Sequence, residues 1–308
     1  MEYRMLGNTG LRVSRLGAGL SEIGQELTLE QTEQAGRVLN IALDNGVNFL
    51  DTAACYGNSE EFIGRNVSHR RDEFILATKA GHAGPISSGR DPGADWTYET
   101  VVASVDRSLR RLRTDHIDLV QLHSCDVDVL ERGDVIRALQ DAQAAGKIRF
   151  VCYSGDNAAA EWAVESGLFA TIQTSYNLVD QRARTRVFPK ARENGVGVII
   201  KRPMANSVWG HVEDEPKKTM QWGVLFPRAQ ALQALGPVVG APEDRIALAL
   251  GFTLASDAVD VALTGTKNPD HMLANLRMFG DGLSLPEETV AELQRRFDQV
   301  GGDWEQLE

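Results

Sequence analysis

Short apolar segments alternate with longer amphipathic ones along most of the chain, and this alternation constrains the fold more than any other feature. The apolar segments have the length of buried strands and lie at 16–19, 47–51, 74–79, 117–123, 148–153, 171–175, 197–201 and 259–264. Helical periodicity between them implies parallel strands joined by crossover helices. The predicted helices lie at 29–44, 59–65, 97–112, 127–145, 157–166, 188–194, 242–254, 270–279 and 286–298.

Two architectures with parallel strands show this alternation of strands and helices, namely the open doubly wound sheet and the closed barrel. No dinucleotide-binding fingerprint follows the first strand, because the segment Gly17-Ala18-Gly19-Leu20-Ser21-Glu22 lacks the third glycine. Eight strand units with polar residues at their ends favour the barrel. We therefore predict an α/β fold, a (β/α)₈ TIM barrel in one domain over 1–308, preceded by a β-hairpin of 3–5 and 11–13. Residues 205–223 show no clear period and are predicted to form a loop over the pocket mouth.

Three polar residues stand at the ends of successive predicted strands, and a fourth follows the first of them. Asp51, Lys79 and His123 close their strands, and Tyr56 lies five residues after Asp51. Functional groups gather at the C-terminal ends of barrel strands, so these four side chains can share one pocket. Taken singly, each has an ordinary structural explanation, such as a cap, a packing aromatic or a solvated strand end. As a set, an acid, a phenol, an amine and an imidazole indicate proton transfer.

Composition excludes several other kinds of protein. The net charge of −11 argues against a nucleic-acid partner, and no apolar run has the length needed to span a membrane. The first ten residues lack a signal-peptide pattern, and three scattered cysteines suit a reducing compartment, so a cytoplasmic location is expected. The histidines outside the candidate set show no metal-ligand spacing, so no metal site is expected. These histidines are His69, His82, His116, His211 and His271.

An ordered set of segments resembles the aldo-keto reductase family. The segments span 49–57, 77–79, 115–123, 146–150, 173–177 and 265–267, followed by Asn275. The resemblance implies a (β/α)₈ barrel whose N-terminal hairpin closes its base. It also implies a nicotinamide cofactor, usually NADPH, that is bound without a Rossmann fold.

By this resemblance, four residues match the family's catalytic tetrad: Asp51, Tyr56, Lys79 and His123. Tyr56 is expected to donate a proton to the carbonyl oxygen of the substrate. The Lys79 ammonium is expected to lower the pKa of that phenol, with Asp51 holding Lys79 in place. His123 is expected to orient the carbonyl.

The resemblance also assigns cofactor-binding residues, namely Ser154, Gln173, Lys201, Arg202, Gly265, Thr266, Lys267, His271 and Asn275. Ser154 and Gln173 match the positions that bind the nicotinamide carboxamide. The family's usual Ser-Asn pair is Ser154-Gly155 here, so one contact is lost or moves to Asp156 or Asn157.

Other matches concern the adenosine end and the nicotinamide ring. Lys267 and His271 resemble the pair that grips the 2′-phosphate, so NADPH is the preferred cofactor and NADH a possible one. Lys201 stands where a stacking aromatic is usual. Its ammonium can lie near the ring, near the diphosphate, or away from both. Trp209 and Trp222 can form an aromatic wall or act as buried supports for their loop.

These observations predict an NADPH-dependent reductase of aldehydes or ketones, or an enzyme working in reverse on a sugar or alcohol. Its expected partner is a small carbonyl or alcohol substrate, without nucleic acid or membrane. The alternative is a weakly catalytic or non-catalytic nucleotide-binding regulator that resembles the potassium-channel β subunits. The complete tetrad favours the enzyme.

Overall fold

The computed structural model describes residues 1–84, 95–210, 222–280 and 282–307. In this part of the chain, eight parallel strands close into a barrel in sequence order, and the last strand pairs with the first. These strands are β3 (Leu16–Gly19), β4 (Phe49–Asp51), β5 (Ile75–Ala80), β6 (Ile117–His123), β7 (Ile148–Ser154), β8 (Thr171–Ser175), β9 (Gly197–Lys201) and β10 (Val261–Thr264). The predicted (β/α)₈ barrel is confirmed.

Helices connect the barrel strands and lie outside them. They are α1 (Ser21–Glu26), α2 (Thr32–Asp44), α3 (Ser59–Asn66), α4 (Tyr98–Leu112), α5 (Val127–Arg132), α6 (Asp134–Ala144), α7 (Asn157–Glu165), α8 (Ala183–Arg186), α9 (Phe188–Glu193), α10 (Trp222–Gln233), α11 (Arg245–Leu254), α12 (Pro269–Gly280) and α13 (Glu287–Val300). None of the described helices is long and apolar enough to cross a membrane.

Several predicted boundaries were wrong for local reasons. The predicted helix 127–145 is two helices, because Gly133 between α5 and α6 has a φ of +75°. The predicted helix 29–44 begins with a 3₁₀ turn over Leu29–Gln31. Of the predicted loop 205–223, residues 211–221 lie outside the described residues, while Ala205–Ser207 forms a 3₁₀ turn. The short helices α1 and α8 were missed because so few residues show no clear period. Helix α10 was also missed, and it begins at Trp222, inside the predicted loop.

An antiparallel hairpin precedes the barrel, as predicted, and consists of β1 (Tyr3–Met5) and β2 (Arg12–Ser14). Its connecting turn meets residues just before the last two barrel strands. The Gly7 N–H donates to Asp260 at 3.2 Å, and the Asn8 N–H donates to the Gly195 carbonyl at 2.8 Å. A Cβ on Gly7 would lie 2.3 Å from the Gly197 nitrogen, so only glycine fits this approach.

The hairpin turn and β2 also supply apolar side chains to the base of the barrel. This cluster contains Leu6, Leu11, Val13, Phe49, Ala77, Leu119, Cys152, Ile199, Val261 and Leu263. Burying this surface closes the base of the barrel. The opposite end, where the strands terminate, is left as the mouth.

Candidate active site

The barrel brings the four predicted catalytic residues together at its mouth. Asp51 ends β4 and His123 ends β6, while Lys79 is the last residue but one of β5. The Lys79 ammonium lies 2.7 Å from Asp51 Oδ2 and also donates to the Thr52 carbonyl at 2.9 Å. Its Nζ lies 4.8 Å from the centre of the Tyr56 ring. Tyr56 in turn meets His123 edge-on, with ring centres 5.6 Å apart.

Asp51 is the centre of the polar network under the tetrad. While Oδ2 binds Lys79, Oδ1 accepts hydrogen bonds from Gln121 at 3.2 Å and Gln173 at 2.7 Å. Asp51 and Lys79 are both buried, whereas Tyr56 is partly exposed. The sequence reasoning missed Gln121. Its signal was a polar residue between the apolar Val120 and Leu122 of β6, two positions before His123.

Charge and burial act in opposite directions on the two proton-carrying groups. Burial raises the pKa of Tyr56 above its ordinary value, and the Lys79 charge only partly offsets this. Burial also lowers the pKa of Lys79, but Asp51, Tyr56 and Cys55 together outweigh it, so the net shift is upward. Lys79 does act on the phenol in the predicted direction, but the expected net lowering of the phenol pKa is not found. Both groups therefore carry their protons at neutral pH.

A second set of side chains surrounds His123, and the sequence reasoning did not single it out. Cys55 Sγ lies 3.3 Å from His123 Nδ1, and the His82 ring centre lies 5.2 Å from that of His123. Asp95 holds His82 through a 2.9 Å contact to Nδ1, and the Trp96 ring meets this imidazole edge-on with ring centres 4.9 Å apart. These rings form one wall beside the tetrad.

The predicted carboxamide-binding pair lies next to the tetrad, with Ser154 at the end of β7 and Gln173 in the middle of β8. The Ser154 hydroxyl donates to Gln173 Oε1 at 3.1 Å, and the Gln173 amide donates to Asp51. The two residues that could replace the missing asparagine contact other partners. Asp156 receives Lys201 at 2.8 Å and Arg202 at 3.4 Å.

Asn157 exchanges hydrogen bonds with Gln306 near the C-terminus.

Burial raises the pKa of Asp156, but Lys201 and Arg202 outweigh it and the net shift is downward. Burial also lowers the pKa of Lys201, despite this carboxylate. Two cations on one carboxylate leave a net positive charge at the end of β9.

The other predicted cofactor residues follow β10, with Lys267 just before α12. A Cβ on Gly265 would lie 2.7 Å from the Gly19 carbonyl, so glycine is needed where these two strands end. Thr266 Oγ1 accepts the Asn268 N–H at 3.1 Å. His271 is exposed on α12. Asn275, one helical turn further along, is partly exposed.

The hydrogen-bonding groups and cations at the barrel mouth fit a nicotinamide dinucleotide. The Ser154 oxygen can still accept a hydrogen bond from a carboxamide while it donates to Gln173. Thr264 Oγ1 is buried at the end of β10 with no hydrogen-bond partner in the described part of the chain. Cations at the ends of β9 and β10 suit phosphate groups. Among the described residues, no group of three or more His, Cys, Asp or Glu side chains could hold a metal ion.

The two loop tryptophans support the structure. Trp222 is fully buried in α10 and stacks on Phe226 with ring centres 6.1 Å apart. Trp209 is buried in the same core cluster. Trp209 and Trp222 therefore act as buried supports and do not form an aromatic wall of the pocket.

Comparisons with known proteins agree with this geometry. The model of the Aldo/keto reductase family matches residues 15–296. The "Uncharacterized oxidoreductase YrpG" of Bacillus subtilis is 30% identical, over 98% of each chain. The L-galactose dehydrogenase of Arabidopsis thaliana is 26% identical, over 97% of this chain and 95% of its own.

A solved structure of an aldo-keto reductase has the same fold as this chain. The holo form of aldo-keto reductase AKR11C1 from Bacillus halodurans superimposes with a TM-score of 0.80 at 28% identity, over 96% of each chain. The family match covers every barrel strand and all four tetrad residues. The chain therefore belongs to the aldo-keto reductase family and is an NAD(P)H-dependent oxidoreductase.

Proposed function

We propose that the protein reduces aldehydes or ketones to alcohols with NADPH, and that Tyr56 is the proton donor. One observation carries this proposal. The Lys79 ammonium is fixed by Asp51 at 2.7 Å and faces the Tyr56 ring at 4.8 Å. Tyr56 thereby has a cation beside it that stabilises the phenolate left after proton transfer.

Each tetrad residue has a role in this reaction. The nicotinamide, when bound, supplies the hydride for the carbonyl carbon. Tyr56 donates its hydroxyl proton to the carbonyl oxygen as that oxygen gains negative charge. Asp51 keeps Lys79 protonated and in place, and His123, whose ring meets that of Tyr56 edge-on, orients the carbonyl. The reverse sequence oxidises an alcohol or a sugar, with the Tyr56 phenolate as the base.

The predicted cofactor residues divide among the parts of the dinucleotide. Ser154 and Gln173 would hold the nicotinamide carboxamide. Lys201 and Arg202 would face the diphosphate, since together they carry more positive charge than Asp156 neutralises. The residues proposed for the adenosine end are Gly265, Thr266, Lys267, His271 and Asn275. Lys267 is the basis of the proposed preference for NADPH, with NADH as a possible substitute.

The names of two relatives support an enzyme rather than a regulator. The Arabidopsis thaliana relative is named as a dehydrogenase, and the Bacillus subtilis relative as an oxidoreductase. A regulator without catalytic activity would have no need for the complete tetrad. We therefore place catalysis ahead of the regulatory alternative.

A tyrosine substitution tests the proton donor. With Tyr56→Phe, we expect kcat for the best substrate in a carbonyl panel to fall by at least about 10², the scale of general acid catalysis. NADPH consumption at 340 nm measures turnover, and calorimetric titration should show NADPH affinity nearly unchanged. Tyr98→Phe is the matched control, because the Tyr98 hydroxyl donates to Asp141 on the helical exterior. Near-normal turnover of Tyr56→Phe would contradict the assignment.

A further inference from the structure

Lys267, the residue proposed to bind the 2′-phosphate, already has carboxylate partners. Its ammonium forms an ion pair with Glu26, and its backbone N–H donates to Glu22 Oε1 at 3.3 Å. Both glutamates belong to α1, which follows β3. Gln34 of α2 donates to the Lys267 carbonyl at 2.8 Å. The loop before α12 is thus held against the segment that follows the first barrel strand.

The two glutamates differ in their surroundings. Glu26 is half exposed and reaches Lys267 only through its flexible side chain. Glu22 is partly buried, and burial raises its pKa, which the hydrogen bond from the Lys267 N–H partly offsets. His271 also contributes a charge interaction with Glu22. Both side chains proposed for the 2′-phosphate therefore lie near a carboxylate.

This arrangement disfavours a phosphate more than a hydroxyl. A phosphate monoester carries about −1.5 to −2 charges at neutral pH, so at Lys267 it must displace Glu26 and lie near Glu22. The Lys267 N–H, a natural donor to a phosphate, already serves a carboxylate. The 2′-hydroxyl of NADH is neutral and can itself donate to a carboxylate.

We infer that Glu22 and Glu26 are specificity-determining residues that oppose the 2′-phosphate at Lys267 and narrow the preference for NADPH over NADH. The inference rests on the proposed function, because it assumes that Lys267 faces the adenosine ribose. NADPH binding requires that Lys267 be released from Glu26, whereas NADH binding leaves the ion pair intact. The two glutamates therefore tune cofactor choice without contacting the reacting carbonyl.

The test is calorimetric titration of the full chain with NADPH and with NADH. For Glu26→Gln, we expect NADPH to bind about tenfold more tightly, equivalent to about 1.4 kcal/mol, while NADH affinity changes less than about threefold. Glu22→Gln combined with Glu26→Gln should widen the ratio further. Glu33→Gln is the control, since it removes the same charge from an exposed position on α2. A gain in affinity cannot arise from misfolding.

Lys267→Ala completes the set. It should weaken NADPH binding and leave NADH nearly unchanged. An unchanged NADPH to NADH ratio in Glu26→Gln would overturn the inference, and so would weaker NADPH binding, which would make Glu26 a support for Lys267. Equal losses of both cofactors in Lys267→Ala would also overturn it. If neither cofactor binds the wild-type chain, the proposed function itself fails, an outcome distinct from an unchanged ratio.

Discussion

Two buried carboxylates at opposite ends of the barrel are built alike but serve different purposes. Asp51 at the mouth binds the Lys79 ammonium at 2.7 Å. Asp118, the second residue of β6, lies toward the base and binds Arg71 at 2.6 Å and Arg149 at 2.7 Å. It also accepts the Leu76 N–H at 2.9 Å. Both carboxylates thus receive several charge-assisted or buried hydrogen bonds.

The two sites differ in the cation that each carboxylate binds and in the side chain that lies beside that cation. Arginine stays charged at any pH that the protein survives, so the base cluster only neutralises charge. Burial raises the pKa of Asp118, but Arg71 and the hydrogen bonds outweigh it and the net shift is downward. At the mouth the cation is a lysine that also faces a partly exposed phenol. The pair becomes chemically useful because Tyr56, the proposed proton donor, stands beside it.

Removing the mouth cation should have the largest effect. Lys79→Met leaves the phenolate of Tyr56 unstabilised and Asp51 buried without its cation. We expect kcat to fall by about 10² to 10⁴, and the free energy of unfolding to drop by about 3–5 kcal/mol. Turnover at 340 nm and urea unfolding measure the two effects. Lys147→Met breaks the more exposed pair with Asp106 and should change neither by much.

Breaking the base cluster should affect stability alone. Asp118→Asn should lower the free energy of unfolding by about 1.5–3 kcal/mol at pH 7, the scale of hydrogen bonds to charged groups. Because the folded pKa of Asp118 is depressed, its stabilisation is present above the unfolded pKa near 3.9 and is lost as pH falls through the lower folded value. The difference from wild type should therefore shrink in acid. A large loss of kcat in the folded variant would break the distinction between base and mouth.

A third buried carboxyl, Asp180, sharpens the comparison because its pKa is raised, whereas that of Asp118 is lowered. Burial and the nearby Asp156 raise the pKa of Asp180 to about 7. Its ionisation therefore destabilises the fold progressively as pH rises from the unfolded pKa near 3.9 to the folded value of about 7, and the destabilisation stays constant above that pH. Asp180→Asn removes this cost. Relative to wild type, it should become more stable by roughly 2 kcal/mol between pH 5 and pH 8.5.

Urea unfolding at the two pH values measures this difference. Exposed Asp72→Asn serves as the control. If wild type and Asp180→Asn show parallel pH dependence, Asp180 does not titrate as described.

The sequence by itself determined the barrel and which four candidate residues meet at its mouth. Strand and helix periods are local properties, so eight units could be read directly. Because parallel barrel strands all end at the same face, polar residues at strand ends such as Asp51 and His123 converge without knowledge of side-chain contacts. The errors in predicted helix boundaries also had local causes, as at Gly133, where one left-handed residue divides a continuous helical pattern.

Only the tertiary structure decided which groups pair. Asp156 and Lys201 are 45 positions apart, and Glu26 and Lys267 lie on elements that meet only when the last strand closes on the first. The net pKa shift of Tyr56 likewise depends on how deeply the fold buries the phenol, since that burial outweighs Lys79. Such pairings and burial arise from barrel closure, and no local pattern of residues encodes them.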